Sequence, residues 1–252
     1  MITKIMVPLD GSPLGELSLD YAVKIAIALS AELNLVTVSE NREKEHERLY
    51  SLYLDKIAEQ LTEYLHKEQI YLQVTATVTH GKPADTLVKY ALKNNVSMII
   101  VVSHGRSGIM PWSAGSTATK VIHKSTLPVL LIRANEPNIE GSTFEKILLP
   151  LDGSPLGESA IPMVKDLALA LNSEVLILRV VELVQQVHTV GGIDHFIFTD
   201  EQAKRMEEEV GAYMKKVRQQ FVSAGVAVKT IIKTGDPALE IIKISEVEKI
   251  SL

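Results

Sequence analysis

The nine residues PLDGSPLGE occur twice, at Pro8 to Glu16 and at Pro150 to Glu158, each time after a short apolar run, KIMV and KILL. Lys4 and Lys146, which open those runs, lie 142 positions apart. A period of that length is far beyond a solenoid unit and matches a whole domain. The chain therefore reads as two tandem copies of one domain. A second alignment supports this: GKPADTLVKYALKNNVSM from Gly81 matches GDPALEIIKISEVEKISL from Gly235, now 154 positions apart. The 12 extra positions (154 − 142) are expected around QQVHTVGGIDHFIFTD, as a long loop or an added helical turn.

Within the first copy, strands alternate with helices. Lys4 to Leu9 is a short apolar strand, after which Ser12 supplies an N-cap and Pro13 a first-turn proline. Leu14, Leu17, Tyr21, Ile25 and Leu29 then recur at helical spacing. ELNLVTV reads as a second strand, ERLYSLYLDKIAEQLTEYLHKE as a long amphipathic helix and YLQVTATV, by its alternation, as a third strand. PADTLVKYALKNN is the next helix, and SMIIVV is apolar throughout, as a parallel strand covered on both faces should be. A glycine-rich loop, a helix near STATKVIHKS and the strand PVLLIR complete the copy. This βαβα order predicts an α/β fold with mostly parallel sheets and helices on both faces. The expected domains are 1–134 and 146–252, joined by a linker over 135–145 that is rich in Asn, Pro, Gly and Ser.

By the 154-residue offset Leu252 aligns with Met98, so the second copy is expected to be incomplete at its C-terminus, without counterparts of Ile99 through Arg133. Its first strand would then have an open side, and exposed N–H and C=O groups there predict self-association through the second domain. Asp152 and Val180 would lack phosphate-binding partners.

The 252 residues contain no cysteine, which excludes disulfides and thiolate chemistry. The longest apolar runs, MIIVV and LPVLLI, are far too short to span a bilayer. The expectation is a cytoplasmic protein with no membrane partner. Net charge is −5, and it is uneven: residues 1–134 carry 14 basic and 13 acidic side chains, residues 135–252 carry 12 and 18. No basic stripe favours nucleic acid, and the acidic second half argues against it.

In parallel sheets of this kind ligands bind outside the carboxyl ends of the strands, where strand order reverses. The candidate loops follow the first and fourth strands. One is PLDGS, with Pro8, Leu9 and Asp10. The other is SHGRSGIMPWSAGST, with Gly105, Gly108 and Gly115 ahead of the hydroxyl residues Ser116 and Thr117 that open a helix. Glycines let backbone amides close around an anion, and a helix N-terminus adds unsatisfied N–H groups. That chemistry suits a phosphate chain, although three glycines also make a plain turn. Signatures of dedicated catalysts are missing: there is no G-x-x-x-x-G-K-S/T, no G-x-G-x-x-G, no G-x-S-x-G and no H-E-x-x-H. The seven histidines fall at no metal-like spacing. No catalytic and no metal-binding residue is expected.

The segments ILLPLDGS, GDPA, SHGRSG and AGST followed by KVIHKSTLPVLLIR resemble the universal stress protein family in its tandem form. The resemblance implies two Rossmann-like domains, each with five parallel strands, and in a subset of members ATP bound through G-x2-G-x9-G-S/T. Aligned on that pattern, Gly105 is the second glycine and Gly115-Ser116 closes it, while Val102 stands at the first glycine. A side chain is thus expected where backbone would approach the nucleotide. The resemblance further implies that Asp10 faces ribose and adenine, that Val38 offers backbone groups to the adenine edge, and that Gly105, Gly115, Ser116 and Thr117 hold the phosphates.

Two roles stay open for Asp10, ligand contact or local capping. Arg106 is either a phosphate contact or an exposed arginine. Trp112 either covers the nucleotide or packs on the neighbouring domain, packing being preferred. His104 reads as a loop-ordering residue. The implied function is an ATP-binding stress-response regulator, with Mg²⁺ accompanying the nucleotide and at most slow hydrolysis. The alternative is an interaction module of the same fold without a nucleotide.

Overall fold

The computed structural model describes residues 2–40, 43–103, 116–133, 144–182, 184–189, 192–197 and 200–252. Two compact units divide the chain, residues 1–140 and 141–252.

In the first unit β1 (Lys4–Pro8) leads into α1 (Pro13–Leu29), which starts where the Ser12 hydroxyl accepts from the Gly15 N–H and Pro13 needs no donor. It stops at Ser30, whose left-handed backbone (φ 51°) returns its N–H to Ala26 and Ile27. There follow β2 (Glu32–Ser39), α2 (Lys44–Lys67), β3 (Val74–His80), α3 (Pro83–Lys93), β4 (Met98–Val102), α4 (Ser116–Lys124) and β5 (Val129–Ile132). All five strands are parallel, in the order β3-β2-β1-β4-β5. Strand order therefore reverses between β1 and β4. One face of the sheet packs Met6, Val36, Ile99 and Val101 against Leu87 and Ala91 of α3 and Val121 of α4.

The third strand departs from expectation. It begins at Val74, because its ladder with β2 starts at Leu33 opposite Val74. The alternation in YLQVTATV starts earlier, but Tyr71 is 96% exposed and precedes that ladder.

The second unit repeats the first as far as β6 (Lys146–Pro150), β7 (Glu174–Val181), α7 (Asp200–Val222), β10 (Val228–Thr234) and α8 (Pro237–Val247). Its parallel sheet has three strands, β10-β7-β6. The counterpart of α1 is broken into α5 (Pro155–Glu158) and α6 (Ile161–Leu171). The cause is Pro162, which stands at the position of Asp20 and cannot donate to the preceding turn.

The 12 extra positions form neither a loop nor a helical turn. They lie in a region that pairs as an antiparallel hairpin, β8 (Val184–Thr189) with β9 (Gly192–Ile197), joined across two residues. The segment contains Gly191 and Gly192 between β-branched runs, a hairpin signal that the polar composition obscures. The outer side of β6 is partly occupied: Ser251 and Leu252 donate to the Lys146 carbonyl and Leu148 donates to Leu252.

Candidate functional site

The chain leaves β1 after Pro8 and turns at Gly11 (φ 76°), which brings Asp10 and the start of α1 to the carboxyl end of the sheet. Leu9 is sealed there. Its side chain is buried, its N–H donates to the Val36 carbonyl at 2.9 Å, and its carbonyl accepts from Thr37 Oγ1 at 2.8 Å. Pro8 is half-buried opposite Val36.

The half-buried Asp10 accepts through Oδ1 from the Ser12 N–H at 3.0 Å and the Ser12 hydroxyl at 2.5 Å, while that hydroxyl caps Gly15. The local capping role of Asp10 is therefore present. A Cβ at Gly15 would stand 3.0 Å from Asp10 Oδ1 and would press on this arrangement.

Val38 lies one step from the end of β2. Backbone groups of successive residues in a strand point to alternate sides. The Val36 carbonyl points to β1, where it meets Leu9, and the Ser39 carbonyl points to β3, where it meets Gly81. The N–H and C=O of Val38 share the direction of Val36, past the point where β1 has ended.

Val102 is the last residue of β4, half-buried and paired with Ile132. Ser116 and the half-buried Thr117 open α4, and the parallel β4-α4-β5 crossover sets that helix N-terminus at the same end of the sheet. Gly105, Arg106, Gly108 and Gly115, with His104 and Trp112, lie outside the described residues. Among the described residues no cluster of metal-ligating side chains occurs.

One residue at this site escapes sequence reasoning. Tyr53, on α2, donates through its hydroxyl to Glu16 Oε1 at 2.9 Å. Burial, then the Glu16 carboxylate, then Asp10 push its pKa well above the ordinary tyrosine value. The only signal is the recurrence of Glu16 as Glu158 in the repeated nine residues.

The second unit repeats the loop with different surroundings. Asp152 Oδ1 accepts from the Ser154 N–H at 2.8 Å, and Ser154 Oγ caps Gly157. The Ser154 hydrogen bonds, with a smaller contribution from Arg179, hold the Asp152 carboxyl below the usual carboxylate range. Arg179 occupies the position of Thr37 and donates to the Leu151 carbonyl at 3.3 Å. Burial, then Glu158, push Tyr213 of α7 up to about 12.

The universal stress protein family model matches residues 1–133 and again 143–252. Universal stress protein YxiE of Bacillus subtilis is 28% identical over 148 residues, which is 53% of this chain and 100% of that protein. A crystal structure of a universal stress protein from Archaeoglobus fulgidus shares the fold with a TM-score of 0.61 at 20% identity, covering 98% of this chain and 84% of that one. A universal stress protein crystallised in complex with cAMP matches 53% of this chain and 98% of its own, at 22% identity and a TM-score of 0.41.

Proposed function

The chain belongs to the universal stress protein family, and from that premise we propose that its first unit binds an adenine nucleotide, ATP, and that occupancy of this site sets a regulatory output. The observation that carries the reading is the Val38 backbone. Its N–H and C=O form a donor and acceptor pair facing the space beyond β1, and an adenine edge offers the complementary pair. Asp10 is the ribose contact in this reading. Gly105, Arg106, Gly108, Gly115, Ser116 and Thr117 hold the phosphates with the N-terminus of α4. Mg²⁺ would be carried on the phosphate oxygens.

Hydrolysis is expected to be slow. Of the two carboxylates described at the site, Asp10 already accepts from Ser12 and Glu16 from Tyr53. Both serve local structure through these bonds, and in this reading neither is assigned to an attacking water. Cradling that binds ground state and transition state alike adds no rate. One observation favours a second reading, the interaction module without a nucleotide: the Val102 side chain ends β4 where the family pattern has glycine.

No described helix is long and apolar enough to cross a membrane. The same proposal puts the protein in the cytoplasm, with self-association through the second unit, which light scattering would test. The nucleotide reading is tested by thermal melting with ATP. A shift on the order of 5 °C is expected at a hundredfold excess over the dissociation constant. Gly115→Val should abolish it, and Asp152→Ala should leave it intact. Absence of any shift at millimolar ATP leaves the interaction module as the function.

A further inference from the structure

The outer margin of the first sheet combines an open strand edge with a row of cations. In β3 the Gln73 carbonyl just before the strand meets Leu33 of β2, and the Gly81 N–H just after it meets Ser39. Odd-numbered backbone groups thus turn inward, and alternation turns those of Val74, Ala76, Val78 and His80 outward. Among the described residues no strand pairs with that side.

Beside the edge, β3 and α3 enclose a groove of about 660 Å³. Its floor includes Thr77, fixed by a 3.0 Å hydrogen bond from the Tyr90 hydroxyl. Along its α3 wall run the exposed Lys82, Lys89 and Lys93, with Thr86 between them. Their spacing, in steps of four, three and four, keeps all four on one helical stripe. Among the described lining residues one is acidic, Asp85, and it is paired with Lys124 of α4. The groove is therefore cationic. Its counterpart in the second unit is not: the aligned residues are Asp236, Glu240, Lys243 and Val247, and Lys243 lies 3.7 Å from Glu240.

We propose that this margin is a docking site for an extended acidic peptide segment, which adds as a strand to β3 and sets its carboxylates against Lys82, Lys89 and Lys93. The two halves of the site have matching repeats. Residues four apart on a helix rise about 6 Å, and alternate residues of a strand are about 6.6 Å apart. Acidic side chains at every second position thus keep rough pace with the stripe and reach Lys82, Lys89 and Lys93, with Thr86 between the first two, while the peptide backbone satisfies the outward groups of β3. A compact anion would engage the lysines and leave the edge unpaired, so a strand is the occupant that fits both. Lysines beside an edge also discourage indiscriminate pairing, and here that makes the site selective for sequences that bring their own negative charge.

The test uses the whole chain and a fluorescein-labelled nine-residue peptide of alternating Glu and Thr, followed by anisotropy at low ionic strength. Saturable binding that weakens with salt is expected. The exposed double substitution Lys89→Glu with Lys93→Glu should weaken it at least about tenfold. A peptide N-methylated at every residue, left without N–H donors on either edge and unable to pair as a strand, should not bind. Three results would overturn the proposal: no binding of the unmodified peptide at millimolar concentration, equal binding of the N-methylated peptide, or full affinity in the double variant whose circular dichroism is unchanged.

Discussion

In the first unit the loop after β1 closes under a threonine hydroxyl, and in the second the same nine residues close under a guanidinium. Thr37 and Arg179 hold equivalent carbonyls, those of Leu9 and Leu151. Thr37 is neutral and short, and it brings no charge to Asp10. Arg179 fills that position and lends positive charge to Asp152. Identity of a loop is thus no guarantee of an identical site, because what the loop faces comes from the next strand. The strands differ in support as well. β1 lies between β2 and β4, whereas among the described residues β6 has β7 on one side and Ser251 and Leu252 on the other.

The largest expected effect tests that difference in support. Ile5 and Ile147 are equivalent and both buried. Ile5→Ala should cost about 4 kcal/mol and Ile147→Ala about 2 kcal/mol, the first site being enclosed on both flanks and less able to collapse. Denaturant titration read through amide exchange of each sheet would measure both. Equal costs would show that flanking strands do not set the packing.

A smaller effect comes from the turns before α3 and α8. Asp236 caps α8 by accepting from the Leu239 N–H at 2.9 Å, while Lys82, at the same place before α3, makes no side-chain cap. Asp236→Ala should therefore cost about 1 kcal/mol, and Lys82→Asp should add about 0.5 kcal/mol. Thermal unfolding of the two variants would sharpen the comparison, and a loss in both would break it.

The smallest effect is silent at neutral pH. Tyr53 and Tyr213 both have raised folded pKa values, that of Tyr213 about 12. The protonated form is the one the fold favours, so their contribution is complete below about pH 10, the unfolded value, and is lost as pH rises through the folded values. Tyrosinate absorbance should show Tyr53 and Tyr213 titrating late. Tyr53→Phe should remove the higher of the two and Tyr213→Phe the lower.

Much of the fold was legible because its causes are local. Ser12 and Pro13 announce α1, and the unbroken apolar run at β4 announces burial on both faces. The break between α5 and α6 is equally local, being written in Pro162. The site was legible only in part. Asp10, Val38 and Val102 could be named from a motif, but the sealing of Leu9 and the arrival of Tyr53 at Glu16, 37 positions away, could not.

By itself the sequence determined the tandem duplication, the alternation of strands and helices, the capped starts of α1 and its counterpart, and the family. Each depends on residues within a few positions of one another, or on direct comparison of two stretches of chain. Only the tertiary structure decided which side of each strand its backbone groups face, that Val38 points past the end of β1, that among the described residues β3 has an unpaired edge beside three lysines, and that Arg179 holds in the second unit the carbonyl that Thr37 holds in the first. These depend on register between strands far apart in the chain. A shift of one residue there would turn every backbone group and side chain to the opposite side.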